Sequence, residues 1–161
     1  MVDGGSTDGT AELVKKQFPD VMFILDKRKG VSYARNTGAE NAKGEIVVYT
    51  DDDCIVKKDW LRNLIAGFSS SKIGAVGGPV RLLHPEKIPG KLLVRAALGI
   101  YDLGESVRTV RNVKELITAN MAVRREVFHK IKFDTELGRK GKALFDLEDI
   151  DFCETLLEHG Y

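Results

Sequence analysis

The chain has 161 residues, 43% hydrophobic and 30% charged, enough for one globular domain with a real core and too few for two ordinary ones. Its 25 Lys and Arg against 24 Asp and Glu leave a net charge of +1, so no global field selects an anionic membrane or nucleic acid, and a nucleic-acid partner is not expected. No apolar run reaches the ~18 residues of a membrane span, no signal-peptide pattern opens the chain, and Cys54 and Cys153 lack metal-type spacing, which together predict a soluble, cytoplasmic protein with reduced thiols.

Met1-Val2-Asp3 reads as the end of a strand whose earlier part is missing, and Gly160-Tyr161 follows a helical pattern with no closing element, so a fragment of a longer protein is expected. The turn-rich run Asp3-Gly4-Gly5-Ser6-Thr7-Asp8-Gly9-Thr10 leads into a helix marked by Ala11, Leu13, Val14 and Phe18 and stopped by Pro19. Val21 to Leu25 fits a short buried strand, and Ser32 is positioned to cap a helix from about Tyr33 to Ala42 that Gly44 closes. Ile46 to Thr50 has strong strand preference and runs straight into Asp51-Asp52-Asp53.

Asp59 then caps a helix carrying Trp60, Leu61, Leu64, Ile65 and Phe68, and Gly74 to Leu82 resumes strand character around Gly77-Gly78-Pro79. Leu92, Leu93, Ala96, Ala97 and Ile100 fit an amphipathic helix, and Tyr101 to Asn112 reads as loop. Ile117 to Val123 reads as a strand, Glu126 to Ile131 as a short helix, Phe133 to Lys142 as a Gly- and Lys-rich loop, and Glu148 to His159 as a helix. Strands alternating with helices predict an α/β fold with a mostly parallel, doubly wound sheet flanked by helices.

Three acids at the carboxyl end of a strand have two readings, a helix-capping loop or oxygen ligands for a hard cation bound with a phosphorylated ligand. The glycine-rich run has two as well: a turn that needs glycine for geometry, or a backbone that a nucleotide approaches closely. It matches neither a P-loop nor a dinucleotide fingerprint.

The run from Asp3 to Thr10 resembles the Asp-Asp/Asn-Gly-Ser-Thr-Asp-Gly-Thr signature of family 2 glycosyltransferases, inverting enzymes of the GT-A fold. Further matches follow in family order: Ala34-Arg35-Asn36-Thr37-Gly38, Asp51-Asp52-Asp53 as the Asp-x-Asp motif, Thr118 to Phe128, Phe133 to Gly138, and Glu148-Asp149-Ile150-Asp151. The resemblance implies a single GT-A-like domain whose residues 1–82 bind nucleotide and metal and whose residues 83–161 form the acceptor half with the catalytic base. Asp3, Gly5, Ser6, Arg35, Asp51 and Asp52 are the implied donor residues, with Gly4 departing from the usual Asp or Asn. Asp53 and Asp51 are the implied ligands of Mg²⁺ or Mn²⁺, which would stabilise a departing diphosphate as a Lewis acid.

Asp149 is the implied base, with Glu148, Asn120 and Asp151 supporting it or the acceptor. Acids also crowd the first turn of ordinary helices, and a buried, satisfied amide is the competing reading of Asn120. The implied reaction transfers sugar from a UDP- or GDP-sugar to a hydroxyl of a glycan, glycolipid or protein-linked acceptor, and a lipid-linked acceptor would bring the protein to the cytoplasmic face of a membrane. Two rivals remain, a nucleotide-sugar-binding module without turnover and a nucleotidyltransferase of related fold. Arg139-Lys140-Gly141-Lys142 is either a solvated charge run or a loop that closes over phosphate.

Overall fold

A computed structural model describes residues 1–84, 108–109, 116–138 and 147–161. The expected helix around Leu92 to Ile100 and the basic run Arg139 to Lys142 lie outside the described residues, as does all of the 101–112 loop but residues 108–109.

Strand β1 (Val2–Asp3) pairs in parallel with β2 (Ile24–Leu25), and helix α1 (Thr10–Gln17) connects them. Helix α2 (Val31–Asn41) leads to β3 (Ile46–Tyr49), followed by α3 (Trp60–Ala66), β4 (Ala75–Gly77), β5 (Met121–Arg124) and α4 (Glu148–Glu158). The second sheet has the order β3-β5-β4, with β5 antiparallel to both neighbours, so β3 and β4 run the same way and the architecture is mixed. The expected nucleotide and acceptor halves are therefore interleaved, because a strand of the second lies between two strands of the first.

Burial explains why β5 takes the middle. Met121, Ala122 and Val123 are each 0% exposed, and a strand covered on both faces is stable only as a continuous apolar run. Around it, Phe133 and Phe152 stack at 4.1 Å between centroids, Tyr49 meets Phe133 edge-on at 5.6 Å, and Phe128 stacks on Phe152 at 5.6 Å. The buried Cys153 thiol belongs to this cluster, and burial raises its pKa to about 12.

Several sequence expectations are corrected. Only Ile24–Leu25 of the 21–25 run forms a strand, and Val21, Met22 and Leu25 are exposed, because a short apolar run does not by itself separate a buried strand from an edge. Ser32 does not cap α2. Gly30, at φ 127°, takes that position, and the buried Ser32 hydroxyl donates to the Leu137 carbonyl at 3.3 Å. Asp59 precedes α3 without a side-chain cap and accepts instead from the Asn63 amide at 3.0 Å, and α3 ends at Ala66. Residues Thr118–Asn120 form a 3₁₀ turn, so the strand begins only at Met121. Gly77 and Gly78 admit this turn closely: a Cβ on Gly78 would stand 2.6 Å from the Asn120 amide nitrogen.

Asn36, which follows Arg35 in the family-like run, is a structural clamp. Its amide donates to the Phe133 carbonyl at 2.8 Å and accepts from the Phe133 N–H at 3.0 Å. Asn36→Ala would strand both backbone groups in the interior, and urea melts should show a loss of about 2 to 4 kcal/mol. An unchanged midpoint would mean that water or a shifted backbone replaces the amide.

Candidate active site

The first turn of α4 presents Glu148 and Asp149 to α2, whose Arg35 lies between them. Arg35 Nη1 stands 2.6 Å from Glu148 Oε1 and 3.1 Å from Asp149 Oδ1, and the guanidinium covers the Phe133 ring at 5.5 Å. Tyr49 supports this from β3, its hydroxyl donating to the Arg35 carbonyl at 3.2 Å. Burial pushes the Tyr49 hydroxyl well above its ordinary pKa, so the ring stays neutral. On the other side of Asp149, the Thr118 amide and hydroxyl both donate to Oδ2, at 2.9 and 3.0 Å.

Two carboxylates here share one guanidinium, and both are largely removed from water. Glu148 is 3% exposed as a residue, and its Oε2 is buried without a hydrogen bond, as is Asp149 Oδ1. Burial raises the Asp149 pKa against the opposing pull of Arg35 and the Thr118 hydrogen bonds, and the Asp51 carboxylate raises it further. That influence of Asp51 places the acidic loop after β3 in electrostatic reach of Asp149. A largely buried carboxylate with a raised pKa, next to a second acid, has the chemistry of a proton acceptor.

The Asp3 loop is built differently. Asp3 Oδ2 accepts from the Gly5 and Ser6 amides at 2.9 and 3.0 Å, and Oδ1 accepts from the Ser6 hydroxyl at 2.5 Å. These bonds, Ser6 foremost, hold the carboxyl below its usual range and shape the loop, in which Gly5 takes φ 97°. The loop forms one wall of a groove of about 470 Å³ that Lys15, Phe23, Leu25 and Lys27 complete. Two lysines and a hydroxyl-bearing loop beside an aromatic ring make this groove suitable for an anion that carries a flat base.

The structure thus brings Arg35, Glu148 and Asp149 together with Asp51 nearby, and gathers Asp3, Gly5 and Ser6 around the groove. Asp52 and Asp53 stand exposed on the turn after β3. Among the described residues no group of three or more His, Cys, Asp or Glu could hold a metal unaided. Two carboxylates on an exposed turn nevertheless fit a cation that arrives with phosphate oxygens, since Mg²⁺ commonly takes only one or two protein carboxylates. Asn120 proves to be the satisfied amide, accepting from Trp60 Nε1 at 2.9 Å and donating to the Pro79 carbonyl at 3.1 Å. Asp151 lies outside the Arg35 cluster; burial and then Asp134, Glu154 and Glu158 raise its pKa. Sequence reasoning missed Thr118, Lys15 and Lys27. Only Thr118 carried any signal, its place two residues before Asn120 in the family-like run.

The fold matches that of S. aureus TarS with a TM-score of 0.66 at 20% identity, over 96% of this chain and 44% of that one, which places the chain in the GT-A fold. Residues 1–132 match the model described as glycosyl transferase family 2, and the chain belongs to that family. Similar proteins from Haloferax volcanii include the glucosyl-dolichyl phosphate glucuronosyltransferase, 28% identical over 98% of this chain and 52% of that protein. The glycosyltransferase AglE is 32% identical over 100% of this chain and 51% of that protein. The chain thus spans about half the length of these curated relatives.

The raised pKa of Asp149 has a sign that can be measured. Protonation is favoured in the folded state, so the cost of the charge is absent below the unfolded value of about 3.9 and grows as pH rises through the folded one. Asp149→Asn should therefore melt at or above the wild type at pH 7, with the advantage shrinking as pH falls towards 4. A variant less stable at pH 7 would show that the pairing with Arg35 outweighs desolvation.

Proposed function

We propose that this domain transfers a sugar from a nucleotide-sugar donor, UDP- or GDP-linked, to an acceptor hydroxyl with inversion, and that Asp149 is the base. The observation that carries this reading is the setting of Asp149, where burial, with a smaller push from Asp51, raises its proton affinity against Arg35 and Thr118, while Arg35 and Thr118 hold its two oxygens. Asp149 takes the acceptor hydroxyl's proton as that oxygen attacks the anomeric carbon; the carbon–phosphate oxygen bond breaks on the opposite face, and the nucleoside diphosphate leaves with the bonding pair. Asp53 and Asp51 would hold Mg²⁺ or Mn²⁺, which when bound would supply Lewis-acid stabilisation of the departing diphosphate. Asp3, Gly5, Ser6 and Asp52 receive the nucleoside, with Lys15 and Lys27 beside it in the groove.

The printed name of the Haloferax volcanii glucuronosyltransferase identifies a sugar-bearing dolichyl phosphate, and that similarity over nearly the whole chain favours a lipid-phosphate-linked sugar as acceptor here. Such an acceptor would bring the domain to the cytoplasmic face of a membrane, although no helix among the described residues is long and apolar enough to cross one.

Calorimetry with UDP and with GDP, each in Mn²⁺ and in EDTA, tests the donor site. Binding of one nucleotide that requires the metal and weakens about tenfold or more in Asp53→Ala is expected. Equal binding in EDTA would remove the metal from the mechanism. Asp149→Asn should then keep that affinity within about twofold while nucleotide release from the matching sugar donor falls by at least about a hundredfold. Binding without release in the wild type would make the domain a binding module, and pyrophosphate formation would make it a nucleotidyltransferase.

A further inference from the structure

We propose that Thr118 is the positioning residue of the Asp149 carboxylate, an inference that rests on the reading of Asp149 as base. Thr118 is 1% exposed and directs two donors, its amide and its hydroxyl, onto one oxygen, Asp149 Oδ2, at 2.9 and 3.0 Å. The amide is available because Thr118 opens a 3₁₀ turn, where the first N–H groups have no partner within the turn. Arg35 meets the other oxygen at 3.1 Å, but its shorter contact, 2.6 Å, goes to Glu148. Among the described residues Thr118 is thus the one that hydrogen-bonds Asp149 without being shared with the neighbouring acid, and it does so through two donors on a single oxygen.

The turn that carries Thr118 is held at both ends. It runs directly into β5, whose first three residues are fully buried, and Asn120 fastens it sideways through Trp60 Nε1, the Pro79 carbonyl and a 3.1 Å bond from the Gly78 amide to its own carbonyl. This gives Asn120 a purpose that the sequence did not reveal: it braces the residue that orients the base. A donor pair on a turn that leads into a fully buried strand restrains the carboxylate's rotation about its Cβ–Cγ bond.

Thr118→Val keeps the shape and the amide and loses the hydroxyl, whereas Thr118→Ser keeps the hydroxyl. With the donor found by calorimetry, Thr118→Val should lower kcat by about tenfold or more with donor KM and Mn²⁺-dependent nucleotide affinity within about twofold, and Thr118→Ser should stay within about threefold of wild type. In protein labelled with ¹³C at the aspartate carboxyls, the Asp149 signal, assigned by its loss in Asp149→Asn, should move in Thr118→Val and stay in Thr118→Ser. Wild-type kcat in Thr118→Val, a parallel fall of kcat and affinity, or an Asp149 signal indifferent to the hydroxyl would each overturn the assignment. Absent turnover in the wild type would instead remove the transferase reading, and the carboxyl signal would still decide whether Thr118 holds Asp149.

Discussion

The Arg35 guanidinium between Glu148 and Asp149 is the interaction on which the site depends. It joins α2 to α4 across 113 residues of sequence, and it does so in a place nearly closed to water. Removing Arg35 would leave two enclosed carboxylates without their shared counter-charge, a loss that typically costs about 3 to 5 kcal/mol because the remaining charge has no solvent to return to. The cluster is also short of positive charge, with two acids on one guanidinium. A purely structural ion pair would be better balanced, and the surplus negative charge and the two buried oxygens without hydrogen bonds fit the role proposed for Asp149 as a proton acceptor.

The aromatic core keeps this arrangement in register. Phe133 lies under the guanidinium with one face and stacks on Phe152 with the other, and Phe152 is one turn beyond Glu148 on α4. Asn36, one residue after Arg35, fixes the Phe133 backbone from α2. Ring, amide and guanidinium therefore locate the same two helices by three different kinds of contact. Glu148 takes its place from the same geometry: with one oxygen on Arg35 and the other enclosed near Gly138, where a Cβ would come within 3.2 Å, it anchors the guanidinium.

What could be read from the sequence was whatever a local pattern carries. The strand that runs into Asp51, the acidic start of α4 and the glycine-rich turn at Asp3 are contiguous, and each appears where expected because backbone preference and adjacent side chains decide it. What could not be read depended on partners far along the chain. Ser32 has the right chemistry for a cap, but Leu137 claims its hydroxyl while Gly30 supplies the entry conformation. Thr118 looked like strand because its neighbours are β-formers, yet its hydrogen bonds to a residue 31 positions away set the turn. Val21 to Leu25 shows the opposite limit, since an apolar run records what a residue prefers and not whether a neighbour is there to cover it.

On the proposed reading, the donor and acceptor sides would communicate through charge. Asp51 sits at the end of β3, two residues after Tyr49, whose hydroxyl holds the Arg35 backbone, so the strand that delivers the acidic loop also steadies the cation beside the base. Asp51 raises the proton affinity of Asp149 as long as its own charge is unscreened. A cation held at Asp51 and Asp53 would neutralise that influence and lower the affinity of Asp149 for its proton. Donor loading would then favour the ionised base when an acceptor hydroxyl has to be deprotonated, and loss of the donor's diphosphate with its cation would restore the higher affinity.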